Sequence, residues 1–330
     1  MEDHFTGELT LTKCAANSEE KFEHNIPLIA VVGPTGVGKT EVGIFLAENL
    51  DGEIINFDSV QVYQLLNIGA AKPSPEELAR VPHHLLGFLP LDKEFNAAQF
   101  VELADQAIKK LHREKKLPIL VGGTGLYLKA LLHGLFEVGD TSQARKELKA
   151  RLKKEGLSSL YEELKRIDPA YARKISPKDW VRILRALEVY YTTGKPFSEL
   201  AREHAFARRR YPCLKIGLTL PREELYRRLD QRADKMLAAG LLDEVRKILA
   251  MGYSPELKPL KSIGYRHMIA YLKGKLSFEE AVRLMKRDTR RYAKRQLTWF
   301  KRDHGVKWFH PNEKEKILVT AKKFLDSYRF

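Results

Sequence analysis

The chain contains few cysteines and no long apolar run, and each absence excludes a class of protein. Its two cysteines, Cys14 and Cys213, are far apart and lie outside any C-x-x-C pattern. Neither a disulfide framework nor a zinc site is therefore predicted. No run of eighteen or more apolar residues occurs, and the first residues lack the basic-then-apolar pattern of a secretory signal. We expect a protein of the reducing cytoplasm, without a membrane partner.

Acidic residues are outnumbered by basic ones. The 330 residues include 58 Lys and Arg against 43 Asp and Glu, a net charge of +15. The first 26 residues have the opposite sign of net charge, because six acids and two lysines give −4. The remaining residues therefore carry a net charge of +19. A field of that sign favours a polyanion such as nucleic acid. Solubility alone accounts for such a charge equally well.

Short apolar segments alternate with helical patterns over the first 125 residues. The apolar runs are typical of strands buried on both faces, and the helices carry apolar residues along one side. Strands are predicted at Ile26–Val32, Glu53–Phe57 and Pro118–Val121, and helices at Lys39–Leu50 and Ala97–Lys115. The alternation predicts an α/β fold with a parallel, doubly wound sheet.

The chain divides into four predicted parts. Residues 1–26 form an acidic, loosely held tail, and residues 27–139 form the first part of the α/β core. Residues 140–210 are charge-rich, favour helices and contain no convincing buried strand, so they predict a helical insertion domain. Residues 211–330 complete the core with basic helices. In this last part we expect strands at Leu214–Leu220 and Val306–Phe309, and helices near 222–238, 241–251, 263–273 and 277–302.

A P-loop follows the first predicted strand and opens the first predicted helix. Residues Gly33-Pro34-Thr35-Gly36-Val37-Gly38-Lys39-Thr40 match G-x-x-x-x-G-K-[ST]. The glycines let successive N–H groups converge on phosphate oxygens, and the helix N-terminus adds partial positive charge. Lys39 supplies a point charge, and Thr40 is placed to hold Mg²⁺ through its hydroxyl. The motif predicts a P-loop NTPase-like fold and a phosphorylated ligand.

A P-loop does not specify the reaction, and a small-molecule kinase is the default alternative. Asp58-Ser59 follows the second strand, where such kinases often place an acceptor-binding aspartate. Against a kinase, the strand Pro118–Val121 ends in Gly-Gly-Thr and not in an acid that completes the usual magnesium site.

The last long predicted helix carries a basic face. Arg283, Arg287, Arg290 and Lys294 are spaced at i, i+4, i+7 and i+11, and Arg295 widens the stripe. Such a face suits a phosphate backbone, although a solvated helix face is the competing interpretation. Trp299 and Phe300 on the same helix are expected in the core. The helix therefore favours a nucleic-acid partner without requiring one.

Several further segments resemble the tRNA dimethylallyltransferases, the adenosine-37 isopentenyltransferases. With the P-loop, the similarity extends from Ile29 to about Phe309. It includes Asp58–Tyr63, Ile68–Pro73, Val121–Tyr127, Leu184–Tyr190, Gly194-Lys195, Pro221–Leu225, Ser262–Arg266 and Arg287–Arg302. Many ordered motifs over some 280 residues are far more specific than one P-loop.

The resemblance implies a prenyl transfer with Mg²⁺ as cofactor. The family moves a dimethylallyl group from dimethylallyl diphosphate to N6 of adenosine 37 in tRNA, and diphosphate leaves. Here the P-loop and Arg222 would bind the diphosphate, and Thr124 and Arg145 would join this group. Asp58 would be the general base, since a carboxylate accepting from N6–H raises the nucleophilicity of a delocalised amine.

The resemblance also implies where the tRNA anticodon stem-loop approaches. A base whose N6 reaches a buried diphosphate site is turned out of its stack, and the insertion would grip the anticodon stem. The residues expected along this approach are Asp58, Ser59, Val60, Gln61, Val181, Arg182, Ile183, Leu184, Arg185, Lys261, Ser262, Ile263, Gly264, Tyr265, Arg266, Lys294 and Arg295. We expect a monomer.

Besides the kinase, two other functions stay open at this point. An adenylate isopentenyltransferase would use free AMP or ADP, and a non-catalytic RNA-binding protein would leave its RNA unmodified. The basic stripe and the long insertion argue against free nucleotides, and the P-loop with Asp58 argues against a binding protein.

Overall fold

Residues 22–328, the part of the chain that the computed structural model describes, fold around a six-stranded sheet. Every neighbouring pair of strands is parallel, and the spatial order is β3-β2-β4-β1-β5-β6. The strands are β1 (Leu28–Val32), β2 (Gly52–Asn56), β3 (His83–His84), β4 (Leu117–Val121), β5 (Cys213–Leu218) and β6 (Val306–Phe309). The predicted α/β class with a parallel sheet is confirmed.

The sheet is buried on both faces because β1 alternates its side chains between two hydrophobic clusters. Leu28, Ala30 and Val32 belong to one cluster, and Ile29 and Val31 belong to the other. The first helices are α1 (Lys39–Asn49), α2 (Pro75–Arg80), α3 (Ala97–Arg113) and α4 (Gly125–His133). Helix α1 packs on one face and α3 on the other, which is the doubly wound arrangement.

Residues 142–204 form helices with a hydrophobic cluster of their own. They are α5 (Ser142–Ile167), α6 (Pro169–Ala172), α7 (Trp180–Thr193) and α8 (Phe197–His204). Leu160 and Leu164 of α5 pack with Ile183 and Leu187 of α7. Leu132 precedes this helical segment and Arg210 follows it. The Arg210 N–H donates to the Leu132 carbonyl at 3.0 Å, so the chain enters and leaves the segment at nearby points.

The last third of the chain returns to the sheet through β5 and then builds one side of the site. Its elements are α9 (Arg222–Ala238), α10 (Leu241–Ala250), a short 3-10 helix (Lys258–Lys261), α11 (Tyr265–Leu272), α12 (Phe278–Lys301) and α13 (Lys314–Asp326). Arg290 of α12 pairs with Asp230 of α9 at 2.6 Å. Lys215 of β5 pairs with Asp303 beyond α12 at 2.5 Å. These ion pairs fix α12 against the sheet and α9.

The predicted acidic tail lies mostly outside the described residues. Only its end is described, and there the N–H groups of Glu23 and His24 donate to the carbonyls of Arg209 and Arg210 at 2.8 Å. Ile26 is buried. The end of the predicted tail therefore packs on the core and does not hang loosely.

Outside the helical segment, five described elements were not predicted from the sequence: α2, β3, α4, the short 3-10 helix and α13. The predicted helix at 263–273 begins two residues later than expected, because Gly264 has a φ of +93° that no helix accommodates. Between residues 22 and 328, none of the helices combines the length and apolarity needed to cross a membrane.

Candidate active site

The candidate site is a cavity at the carboxyl ends of β1, β2 and β4, where open α/β sheets bind ligands. The P-loop follows β1, Asp58 follows β2 and Gly122–Thr124 follows β4. The cavity measures about 290 Å³. It is lined by Thr35, Asp58, Ser59, Val60, Gly69, Ala70, Leu229, Arg232, Ala233, Met236, Ser262, Ile263, Arg266, Met285, Thr289, Tyr292 and Arg295.

The P-loop backbone has the conformation that only glycine adopts easily. Gly36 and Gly38 have φ values of +76° and +101°. A Cβ on Gly36 would come within 2.6 Å of the Leu229 side chain, and one on Gly33 within 2.6 Å of the Leu218 carbonyl. Helix α1 starts at Lys39, and no side chain caps its first N–H groups. Those groups are therefore available to an anion.

Lys39, the first residue of α1, has no carboxylate partner at bonding distance among residues 22–328. Its Nζ donates to the Pro34 carbonyl at 2.9 Å. The pKa of Lys39 is lowered to about 7, mainly by burial and also by the positive charge of Arg232, while the negative charge of Asp58 opposes the shift. The amine therefore requires an anion to be fully charged near neutral pH.

Thr40, the predicted Mg²⁺ ligand, lies in the first turn of α1. Within residues 22–328 no group of three or more His, Cys, Asp or Glu residues could form a metal cage. Mg²⁺ at phosphate sites takes one or two protein ligands and completes its shell with phosphate oxygens and waters. A single hydroxyl beside a phosphate-binding loop fits that pattern.

Arg232, which the sequence interpretation missed, lines the cavity beside the P-loop. Its Nη1 donates to the Thr35 hydroxyl at 2.8 Å, and burial lowers its pKa while Asp58 opposes the shift. The predicted Arg222 begins the same helix, lies over the Tyr226 ring at 5.1 Å and is not among the lining residues. Helical periodicity could have indicated Arg232, because it adjoins the buried face that contains Leu229.

Gln296 of α12, also missed, joins the P-loop to the loop after β4. Its Oε1 accepts from the Thr35 N–H at 2.8 Å, and its Nε2 donates to the Gly123 carbonyl at 3.1 Å. A Cβ on Gly123 would come within 2.2 Å of that Nε2. The buried amide therefore sets the distance between two of the three loops that form the site.

Asp58 is both a turn residue and a lining residue of the cavity. Its Oδ1 accepts from the N–H groups of Val60 at 2.8 Å and Gln61 at 3.3 Å. No residue in the described part of the chain donates to Oδ2. The Thr124 hydroxyl accepts from the Ser59 N–H at 3.1 Å, which places Thr124 next to this turn. The turn therefore orients the carboxylate and leaves one oxygen for a ligand.

The predicted RNA-approach residues near the cavity divide into two groups. Ser59, Val60, Ser262, Ile263 and Arg266 line it. The other four residues do not line the cavity. The Gln61 side chain donates to the carbonyls of Ala70 and Ala71. Lys261 pairs with Glu256, and Gly264 and Tyr265 are buried.

Tyr265 supports one of the loops that line the cavity. Its hydroxyl donates to Glu244 at 2.5 Å and accepts from the Ala70 N–H at 3.2 Å. The same Glu244 carboxylate accepts from the N–H groups of Ile68 and Gly69. The tyrosine thus holds the loop that contains Gly69 and Ala70, which themselves line the cavity.

The predicted RNA contacts on α7 also divide by exposure. Val181 is 57% exposed, and Arg182 is exposed beside Asp179, its partner at 2.7 Å. Ile183 and Leu184 are buried in the cluster between α5 and α7. Their side chains are therefore unavailable to an RNA in this conformation, which narrows the predicted surface to the exposed positions.

Arg145 and Arg185 share one buried carboxylate in the helical segment. Glu188 accepts from Arg145 Nε at 3.0 Å and lies 3.3 Å from Arg185 Nη1. Neither arginine is among the residues that line the cavity. The role of Arg145 at the diphosphate remains a prediction, and this structure places it in an ion pair with α7.

Helix α12 presents its predicted basic face unevenly. Arg283, Arg287 and Arg290 each have an acidic partner within 3 Å, whereas Lys294 and Arg295 lie beside an exposed Trp299. Trp299, expected in the core, is 43% exposed, and Phe300 is buried as expected.

Comparison with known proteins assigns the family. The model of the family described as "IPP transferase" matches residues 61–303. A Geobacter sulfurreducens protein named tRNA dimethylallyltransferase is 47% identical over 299 residues, which is 90% of this chain and 96% of the relative. The Pelobacter propionicus tRNA dimethylallyltransferase 1 is 50% identical over 296 residues, with 88% and 95% covered.

Solved structures agree with the sequence relatives. The tRNA isopentenylpyrophosphate transferase of Bacillus halodurans is 38% identical with a TM-score of 0.69, covering 92% of this chain and 98% of that one. A eukaryotic dimethylallyltransferase, solved acting on tRNA, is 31% identical with a TM-score of 0.79, covering 92% and 80%. The chain therefore belongs to the IPP transferase family, the family of the tRNA dimethylallyltransferases.

Proposed function

We propose that this protein transfers the dimethylallyl group of dimethylallyl diphosphate to N6 of adenosine 37 in tRNA, with release of diphosphate. The observation that carries the proposal is the composition of one cavity. Thr35 of the P-loop, to which Arg232 donates, and the Asp58 carboxylate line the same cavity. Prenyl transfer to an amine needs both an anion-binding end and a proton-accepting end.

The anion-binding end stabilises charge that grows as the allylic C–O bond breaks. Lys39, the free N–H groups of α1 and Arg232 face the departing diphosphate in this proposal. Binding that strengthens as charge develops lowers the barrier, whereas equal binding of substrate and transition state does not. Mg²⁺, which the Thr40 hydroxyl and diphosphate oxygens would hold together, supplies further neutralisation of that charge.

An apolar wall lies beside the anion-binding end. Leu229, Met236 and Met285 line the same cavity as Thr35 and Asp58. A five-carbon allylic chain is apolar, and its burial there excludes water from a reactive carbon. We propose that this wall holds the dimethylallyl group between the diphosphate and the acceptor.

At the other end, Asp58 prepares the acceptor. Its Oδ2 accepts a hydrogen bond from the N6–H of the turned-out adenine and takes that proton as the C–N bond forms. The C–O electron pair leaves with the diphosphate, so atoms and charge balance without another reactant. We propose that Thr124, whose hydroxyl contacts the Asp58 turn, and the more distant Arg145 assist with the leaving group.

The RNA is proposed to enter from the side lined by Ser262, Ile263 and Arg266, with the helical segment 142–204 along the anticodon stem. Turning out the base exposes its N6 edge to Asp58. We propose that the protein acts as a monomer, in the cytoplasm where tRNA is modified.

The test is a substrate comparison by nucleoside mass spectrometry. Wild-type protein with Mg²⁺, unmodified tRNA and dimethylallyl diphosphate should give N6-dimethylallyladenosine at position 37, and a tRNA with guanosine at position 37 should not react. Prenylation of free AMP in preference to tRNA would support an adenylate isopentenyltransferase. Phosphorylated product from ATP would support a kinase.

A further inference from the structure

The basic residues of α12 are of two kinds. Over its first two thirds, each has an acidic partner. The pairs are Arg283 with Glu280, Lys286 with Asp234, Arg287 with Asp288, Arg290 with Asp230 and, at 3.9 Å, Arg291 with Asp288. Charge that is already neutralised contributes little to the binding of a phosphate backbone.

Basic residues at the end of α12 and at Arg302, which directly follows the helix, differ from these. Lys294, Arg295 and Arg302 are exposed, and none of them has an acidic partner among residues 22–328. Their exposure and lack of acidic partners leave them free to bind an anion, because no internal ion pair has to be broken first.

These three cations surround an exposed tryptophan in a second cleft of about 220 Å³. The cleft is lined by Lys294, Arg295, Thr298, Trp299 and Arg302. The indole lies against the backbone of α4, where a Cβ on Gly125 would come within 2.0 Å of Trp299 Nε1. One edge of the ring is therefore held while 43% of the residue faces solvent.

The second cleft adjoins the candidate active site. Arg295 lines both cavities, and Gln296, next along the helix, bonds to the P-loop and to Gly123. If one base of an RNA strand occupies the active-site cavity, a neighbouring nucleotide of that strand would therefore lie at this cleft.

We propose that the cleft binds the nucleotide next to the reacting adenosine, with its base stacked on Trp299 and its phosphate between Lys294 and Arg302. This inference rests on the proposed function. A held aromatic ring with cations around it has the chemistry of a site for an unstacked nucleotide of single-stranded RNA. Stacking tolerates any base, so the cleft adds affinity and positions the loop without reading its sequence.

The first experiment measures affinity for an anticodon stem-loop RNA. Trp299→Ala should weaken binding by roughly 5- to 100-fold, the usual effect of losing a base–aromatic stack. Trp299→Phe should restore most of it, because a ring remains. Diphosphate affinity should stay within about twofold in both variants, which also reports that the P-loop is folded.

The second experiment measures how RNA affinity depends on salt. Lys294→Ala and Arg302→Ala should each reduce the slope of log affinity against log salt, and the two changes together should reduce it by roughly 0.7 to 0.9, the value for one phosphate contact. Arg283→Ala is the matched control, because it is an exposed cation of the same helix with an acidic partner. Its slope should not change.

A third experiment identifies the stacked base. RNAs with an abasic site at position 36 or 38 should bind wild-type protein more weakly at one of the two positions. At that position Trp299→Ala should cause no further loss, because both changes remove the same stack.

Four results would overturn the inference. The first is unchanged RNA affinity in Trp299→Ala, and the second is a Trp299→Ala protein that loses diphosphate affinity but keeps its RNA affinity. The third is an equal salt slope for Arg302→Ala and Arg283→Ala. The fourth is that the losses of RNA affinity from Trp299→Ala and from the abasic site add at both positions. If wild-type protein forms N6-dimethylallyladenosine in the same preparation, such results reject the cleft alone. Absence of that product rejects the proposed function instead.

Discussion

The Asp58 carboxylate faces two environments. Its Oδ1 accepts from two backbone N–H groups of its own turn, while Oδ2 has no donor within the described residues and belongs to a residue that lines the cavity. A turn aspartate and a general base are therefore not competing interpretations of this residue. The turn supplies the orientation that a base requires.

Asp58→Asn separates these two roles. The amide oxygen can still accept from Val60, so the turn should persist, but an amide cannot take a proton from N6. Turnover should fall by at least about 10²-fold, as expected for loss of a general base. Diphosphate affinity should hold or tighten, since a negative charge near Lys39 is removed. Single-turnover kinetics and calorimetry measure the two quantities, and unchanged turnover would remove Asp58 from the mechanism.

Lys39 makes diphosphate binding depend on pH. Its pKa is about 7 in the free protein because the amine is buried. A bound anion favours the charged form and raises that pKa. At pH 8 the free amine is mostly neutral, so binding should take up close to one proton at this site. At pH 6 the amine is already charged and takes up none.

Calorimetry in buffers of different ionisation enthalpy measures this proton uptake. Lys39→Arg is the matched control, because arginine stays charged between pH 6 and pH 8. Proton uptake by this variant therefore comes only from the titration of the diphosphate itself. Equal uptake by wild-type protein and the arginine variant at pH 8 would contradict the depressed pKa.

At the scale of elements, the sequence predicted what is long or strongly patterned. The apolar runs of β1 and β4 and the one-sided helices α3 and α9 were placed within two residues of their observed ends. β3 has two residues, too few for any pattern. In α4 five of nine residues are buried, so its sequence is apolar nearly all round and shows no clear helical face.

The site was less predictable than the strands, because contacts between distant residues build it. The P-loop, Asp58 and the residues near Ser262 follow local motifs, and they meet in one cavity. Gln296 binds a loop 261 residues earlier in the chain, which no local pattern reveals. The paired state of the α12 arginines likewise depends on acids of α9, such as Asp230.

Gln296 tests how strongly α12 holds the P-loop. Gln296→Met keeps the shape but leaves the Thr35 N–H and the Gly123 carbonyl without this partner. Unsatisfied buried groups cost about 1–3 kcal/mol each, so the two groups predict a loss of about 2–6 kcal/mol in the free energy of unfolding. Diphosphate affinity should fall about tenfold, as the loop loses its fixed position.

Denaturant unfolding and calorimetry measure these two effects. Lys301→Ala, an exposed change on the same helix, should alter stability by less than about 0.5 kcal/mol. A Gln296→Met protein as stable as wild type, with undiminished diphosphate affinity, would show that this amide does not position the P-loop.

At the scale of the whole molecule, we propose that anion binding and the binding of the anticodon stem are divided between two parts of the chain. No residue from 140–210 is among those that line the described cavity, and these residues have a hydrophobic cluster of their own. Because Arg210 bonds to Leu132, the segment begins and ends at nearly the same place. A short connection could therefore replace the helical segment without disturbing the sheet.

A chain with residues 135–207 replaced by a short Gly-Ser linker should fold and bind diphosphate within a few-fold of wild type. Its tRNA affinity should fall by at least about tenfold, through lost contacts to the anticodon stem. Filter binding and calorimetry measure both. A large loss of diphosphate affinity would instead support the predicted role of Arg145, and unchanged tRNA affinity would contradict the role of the helical segment.

The central claim is that the P-loop holds a diphosphate that leaves as an RNA base takes its place. The most direct measurement compares two products of one reaction, diphosphate released from dimethylallyl diphosphate and N6-dimethylallyladenosine formed at position 37. The account predicts one of each per turnover, and neither without tRNA. Diphosphate release without the modified nucleoside, or release that tRNA does not stimulate, would contradict it.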